Sequence, residues 1–193
     1  MSISIEQVKE LRNETGISVM ECKKALEETN GDKEKALILL KKRSGEIAAK
    51  KSGRELGAGV VSAYTHTTGT VGAMITLSCE TDFVSKNEEF VALAHDIAMQ
   101  VTAMNPEFAN ADAIPTDEIE KVKETFAPEV EGKPEELKEQ ILKGKIDSYF
   151  SDRILATQSF VKNPDITIGA MLSEATQKFG ERIEVTSMVR LEV

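Results

Sequence analysis

At 193 residues with 40% hydrophobic side chains, the chain is long enough for one ordinary domain and a smaller companion, each with a core. No apolar run reaches the roughly 18 residues of a membrane helix, and the opening MSISIEQVKE lacks the basic-then-apolar layout of a signal peptide, so a cytoplasmic protein without membrane contact is expected. The formal charge of −9 is concentrated after residue 56, which makes the larger part acidic and argues against direct contact with nucleic acid.

Residues 1–48 read as three short helices. Ser4 with Gln7, and Ser18 with Glu21, have capping-box spacing, and Asn30-Gly31-Asp32 is a stop followed by a restart. Apolar positions fall at Ile5, Val8 and Leu11, at Val19, Cys22, Ala25 and Leu26, and at Ala36, Leu37 and Leu40, three stripes that can close into a miniature bundle. The basic run from Lys41 to Arg54 is read as cations in the last turns of the third helix, followed by a solvated linker over 49–57; the competing reading is a nucleic-acid patch.

From residue 58 to 193 the pattern is that of an α+β core. Gly59 to His66 is a strand and TTGT a turn. A second strand alternates through Val71, Ala73, Ile75, Leu77 and Cys79. A third alternates through Ile183, Val185, Val189, Leu191 and Val193 and is expected to keep one wet face. Between them lie helices: one carries Phe90, Leu93, Ala94, Ile97, Val101 and Met104, a long one runs from Pro134 to about Phe160, and Ile168 to Phe179 closes at Gly180. The expected fold class is a three-helix bundle, a linker, and a three-stranded antiparallel sheet with helices packed on one face.

Catalytic parts are scarce, and the chain is expected not to be an enzyme. His66 and His95 stand alone, no metal-spaced cluster or phosphate loop occurs, and the glycines of GAGVVS precede a strand instead of a helix. Cys22 and Cys79 fall on inward registers, which suits inert reduced thiols, with a disulfide left open. One feature stands out against this background: CETDFVSKN puts Phe83 at a strand-to-helix corner, where periodicity alone would make it a plug under the next helix and Asp82 a cap for that helix.

Four ordered segments, LRNETGISVMECKKALEETNGDKEKAL, SCETDFVSKNEEF, HDIAMQVTAMNP, and QSFVKNPDITIGAML with the closing MVRLEV, resemble the bacterial elongation factor Ts family. The likeness covers nearly all the chain and is thinnest from Ala109 to Glu139. It implies a guanine nucleotide exchange factor without cofactor or metal, which binds the GTPase elongation factor Tu and promotes GDP release during translation elongation. It implies a head of the ubiquitin-associated type (1–48), a flexible linker (49–57) and a dimerisation core (58–193).

By the same resemblance, Thr81, Asp82, Phe83 and Val84 are the segment presented to the partner, with the aromatic wedged into the GTPase domain near its Mg²⁺ and phosphates. In the head, Lys9, Arg12, Val19, Met20 and Lys23 are the implied contacts. The family often has GAGMM where this chain has Gly16-Ile17-Ser18-Val19-Met20, and Val19 also fits the inside of the bundle. Longer members carry a second sheet subdomain and a coiled-coil hairpin; likeness to the short members implies a homodimer. Two other readings explain less: a three-helix peptide adaptor leaves TDFV without a role, and a thiol or histidine enzyme needs Cys79 or His66 in an open pocket.

Overall fold

The computed structural model describes residues 3–193. Helix α1 (Ile5–Thr15) starts on a complete capping box, with the Ser4 hydroxyl accepting from the Gln7 amide and the Gln7 side chain accepting from the Ser4 amide. It stops at Gly16, whose φ of 67° is a left-handed conformation that glycine tolerates. Helix α2 (Val19–Glu28) is capped by Ser18, but only half of the expected box forms, because the Glu21 carboxylate turns to Lys24. Asp32 caps α3 (Lys33–Lys51).

The bundle buries Val8, Leu11, Ile17, Cys22, Ala25, Leu26, Ala36 and Leu40. Two expected stripe members are not inside: Ile5 and Val19 are exposed. Each is the first residue of its helix, about a turn ahead of the first buried position, and three short helices enclose little beyond their central turns. Ile17, just before the Ser18 cap, is buried in their place, beside Cys22, in the positions of a hydrophobic staple.

Helix α3 also departs from expectation. It continues through Gly45 to Lys51, so residues 49–51 of the expected linker are helical and Lys41, Lys42 and Arg43 lie mid-helix. A mid-helix glycine costs about 1 kcal/mol, and packing of α3 against the core offsets it. Lys50 and Lys51 are the cations of the last turn, while Arg43 reaches back to Glu28 at 2.7 Å.

The core contains strands β1 (Ala58–Thr65) and β2 (Val71–Cys79), the one-turn helix α4 (Asp82–Ser85), and helix α5 (Glu88–Met104). Helices α6 (Thr116–Phe126) and α7 (Glu135–Phe150) follow, then the ribbon strands β3 (Ser159–Phe160) and β4 (Asn163–Thr167), helix α8 (Ile168–Phe179), and strand β5 (Glu184–Glu192). The main sheet has the order β1-β2-β5 and is antiparallel throughout. Ala73, Ile75, Leu77 and Cys79 point from β2 into a core shared with Phe90, Ala94, Ile97, Ala98 and Val101 of α5. The α+β architecture is that read from the sequence.

Helix α7 ends at Phe150, not near Phe160. The chain there turns through Leu155–Thr157 and enters the β3–β4 ribbon, which buried Gln100 ties to α5. Its Nε2 donates to Gln158 Oε1 and the Ser159 carbonyl, and its Oε1 accepts from the Val161 amide. These bonds satisfy a buried amide that an α-helix over the same residues would leave without its ribbon partners.

Strand β5 does not alternate as expected. The register against β2 shifts at Thr76/Leu77, so a bulge at Thr186–Ser187 reverses the faces. Ile183 and Val185 are buried, but beyond the bulge Met188 and Arg190 face inward and Val189, Leu191 and Val193 face out. Arg190 Nε then donates to the Thr102 carbonyl, placing a cation at the C-terminal end of α5.

Leu77 is fully buried at the centre of this core. Leu77→Ala is expected to lower unfolding free energy by about 3 kcal/mol, measured by urea denaturation, whereas a loss below about 0.5 kcal/mol would place the core elsewhere.

Candidate partner-binding site

The corner after β2 is built from the backbone outward. Strand pairing ends at Cys79, whose thiol donates to the Thr81 carbonyl at 3.1 Å. Thr81 then starts one helical turn, with the Ser85 amide donating to its carbonyl at 3.3 Å and the Lys86 amide to that of Asp82 at 3.2 Å. Asn87 ends the turn and opens α5, its side chain accepting from the Glu89 amide.

Four consecutive residues of this turn do different things. Val84 is buried in the sheet core. Phe83 is 88% exposed, so the plug reading does not hold. An aromatic ring in water forgoes the burial that usually places this residue type inside. Asp82 is the first residue of α4 instead of the cap of α5; its carboxylate pairs with Lys86 at 2.6 Å, which holds its pKa below the ordinary value. Thr81 occupies the N-cap position without capping, and its hydroxyl donates elsewhere.

That use is a pair of carboxylates 101 positions apart in sequence, crossing between the corner after β2 and the one before β5. Glu181 Oε2 accepts from the amides of Glu80 and Thr81 at 3.1 and 2.9 Å, and its Oε1 accepts from Thr81 Oγ1 at 2.5 Å. In return, Glu80 Oε1 accepts from the Arg182 amide at 2.6 Å and from Arg54 at 3.2 Å. The Arg182 guanidinium donates to the Arg54 carbonyl at 2.6 Å. Glu80 is held below its ordinary pKa first by the Arg182 amide and then by Arg54.

In the head, Lys9, Arg12, Val19, Met20 and Lys23 are all exposed, on α1 and α2 on either side of Gly16, and Lys23 faces Glu27 at 3.6 Å. Val19 therefore lies outside the bundle, not inside it, and Met20 is 67% exposed beside it. A bridge brings this turn towards the corner. The Lys178 side chain of α8 lies against Gly16, where a Cβ would come within 2.7 Å of Lys178 Cε, and its ammonium pairs with Glu89 at 2.7 Å in the first turn of α5.

Glu80, Glu181, Arg54 and Arg182 were not singled out from the sequence. The signal was faint: a glutamate directly after the Gly180 helix stop, with its partner a hundred residues upstream. His66 and His95 are exposed, and Cys22 and Cys79 are buried free thiols whose pKa values are pushed up first by desolvation. Among the described residues, no group of three or more His, Cys, Asp or Glu side chains is placed to hold a metal ion, and no helix is long and apolar enough to cross a membrane.

These features define an α+β protein that displays a lone aromatic ring on an anchored corner, next to a small helical head. The family model described as elongation factor TS matches residues 6–193. Elongation factor Ts of Heliobacterium modesticaldum is 44% identical over 99% of this chain and 90% of its own length. Those of Thermosipho melanesiensis and Fervidobacterium nodosum are 44% and 42% identical and are covered over 98% and 99% of their lengths. The chain belongs to the elongation factor Ts family.

The Glu80 carboxylate is bound as an anion, so its contribution to stability is present above the ordinary carboxylate range and is lost as pH falls through its lowered folded pKa. An NMR titration of the Glu80 carboxyl carbon is expected to give a midpoint below that of glutamate in an unstructured peptide. The stability difference between the native chain and Glu80→Gln should close as pH falls through that lowered midpoint, and a midpoint at or above the ordinary glutamate value would contradict the observed bonds.

Proposed function

We propose that this protein is a guanine nucleotide exchange factor for elongation factor Tu, acting through Phe83. Family membership supports the class of activity, and the single observation that carries the mechanism is the exposure of Phe83 on a turn whose backbone is tied down. A P-loop GTPase holds GDP through oriented backbone donors, a lysine and Mg²⁺, so small displacements near those groups cost affinity. Burying a phenylalanine ring in the partner supplies about 2 kcal/mol towards such a displacement, and more at the centre of a dry interface.

Asp82 stands beside Phe83 at the rim of the contact, while Thr81, through its bond to Glu181, and buried Val84 hold the turn. In the head, Lys9, Arg12 and Lys23 supply charge, and Val19 and Met20 supply apolar surface, the methionine adapting its flexible thioether to the partner. Binding of factor and of GDP oppose each other by an equal free energy, so the factor speeds equilibration without setting its direction. The reaction makes and breaks no covalent bond.

The expected measurement is release of a fluorescent GDP from elongation factor Tu. The native chain should accelerate it strongly, and Phe83→Ala should lower that acceleration by at least roughly tenfold with an unchanged melting temperature. No acceleration by the native chain overturns the function, and full activity of Phe83→Ala overturns the wedge.

We also propose a homodimer through the outer face of the main sheet. After the β5 bulge this face carries Val61, Met74, Val189, Leu191 and Val193, all exposed, and Ala63–Met74–Val189 forms a row across the three strands. A second copy presents the same surface about a two-fold axis, and such isologous pairing covers apolar area that water otherwise wets. Light scattering should give twice the 21.1 kDa chain mass for the native protein and the single-chain mass for a Val189→Asp/Leu191→Asp variant. A native monomer at micromolar concentration would refute the pairing.

A further inference from the structure

We propose that Glu181 is a positioning residue for the exchange reaction: it fixes the backbone of Glu80 and Thr81 so that Phe83 is presented in one orientation. The inference rests on the proposed exchange function. It adds a residue from the far end of the chain that contacts neither nucleotide nor the wedge side chain itself.

The geometry favours positioning over general support. One carboxylate accepts from three donors at 2.5, 2.9 and 3.1 Å, and all three belong to the two residues directly before the one-turn helix that carries Phe83. A carboxylate that receives convergent N–H and O–H donors forms charge-assisted bonds with narrow geometry. A four-residue helix has too few internal bonds to hold its own direction. Its other anchors are Val84, buried in the core, the Cys79 thiol on the Thr81 carbonyl, and the exposed Lys86–Asp82 pair. Val84 fixes depth; Glu181 fixes the direction in which the turn leaves β2.

The same contact explains why Thr81 is present. An N-cap threonine ordinarily accepts from an amide of its own helix, yet here its Oγ1 donates to Glu181 and no side-chain cap forms. The hydroxyl proton is given to Glu181 within the subunit, so Thr81 serves the exchange reaction through that bond.

Glu181 also has a fixed base. It follows Gly180, whose left-handed φ of 74° ends α8, and the Gly180 carbonyl accepts from Lys51 of α3 at 2.6 Å. The next residue, Arg182, donates its amide to Glu80. The carboxylate is thus held between the end of α8 and the start of β5, both parts of the folded core.

The test is GDP release from elongation factor Tu, with the maximal rate at saturating factor and the affinity for nucleotide-free partner measured separately. Glu181→Gln removes the charge while keeping the shape, and it is expected to lower the maximal rate roughly tenfold with a smaller change in affinity. In the Phe83→Ala background the same substitution should change the rate less than twofold, because the residue acts through the ring. Thr81→Val is the second variant: it should slow the reaction in the native background and add little to Glu181→Gln. A rate for Glu181→Gln equal to that of the native chain, or a full additive loss on top of Phe83→Ala, overturns the inference. A native chain that leaves GDP release unchanged overturns the proposed function itself, an outcome read from a separate arm of the same experiment.

Discussion

An aromatic ring can be held out in water at a fixed place only if the backbone beneath it is bound by something else. In this protein the binding is reciprocal: the corner after β2 lends the Glu80 carboxylate to the amide of Arg182, and the corner before β5 lends the Glu181 carboxylate to Glu80 and Thr81. Each corner satisfies donors that the other would leave open, as buried or half-buried backbone groups require. Since β2 and β5 are neighbours in the sheet, the sheet register decides that the two corners meet. Display of Phe83 is therefore a property of the whole core and not of the four residues around it.

The head is attached to that same assembly. Helix α3 packs along α8, Lys51 reaches the Gly180 carbonyl, and Arg54 joins the Glu80 carboxylate. On the other side, Lys178 rests against Gly16 and pairs with Glu89. The seam between head and α8 is incompletely filled. A cavity of about 500 Å³ opens there between Ile17, Leu37, Leu40, Glu174 and Gln177. Burial raises the pKa of Glu174, and the side-chain amide of Gln177 lacks a hydrogen-bond partner. The open cavity, with its partly buried carboxylate and unpaired amide, distinguishes this seam from the close-packed core beneath the sheet.

The outer face of the sheet follows from one inserted residue. Without the bulge at Thr186–Ser187, Val189 and Leu191 would continue inward after Val185, and Arg190 would point to solvent. With it, the apolar side chains leave the core, the arginine reaches the end of α5, and an apolar surface is created where a wet one was expected.

Much of this was legible in the amino-acid order because it depends on local periodicity and local hydrogen bonds. The caps at Ser4 and Asp32, the stop at Gly180, the alternation of β2 and the inward face of α5 are each set within a few residues of chain. The TDFV segment was recognisable through likeness to a family, and the structure leaves Phe83, Val19 and Met20 exposed. What only the tertiary structure decided was every feature that joins distant segments: the length of α3, held to Lys51 by packing on α8, the ribbon anchored by Gln100, the reversed face of β5, and the Glu80–Glu181 exchange. Periodicity reports which way a side chain points along its own element, but a bulge or a carboxylate shared between two corners is fixed by a neighbour about a hundred residues away, and a single sequence carries no marker of which neighbour that is.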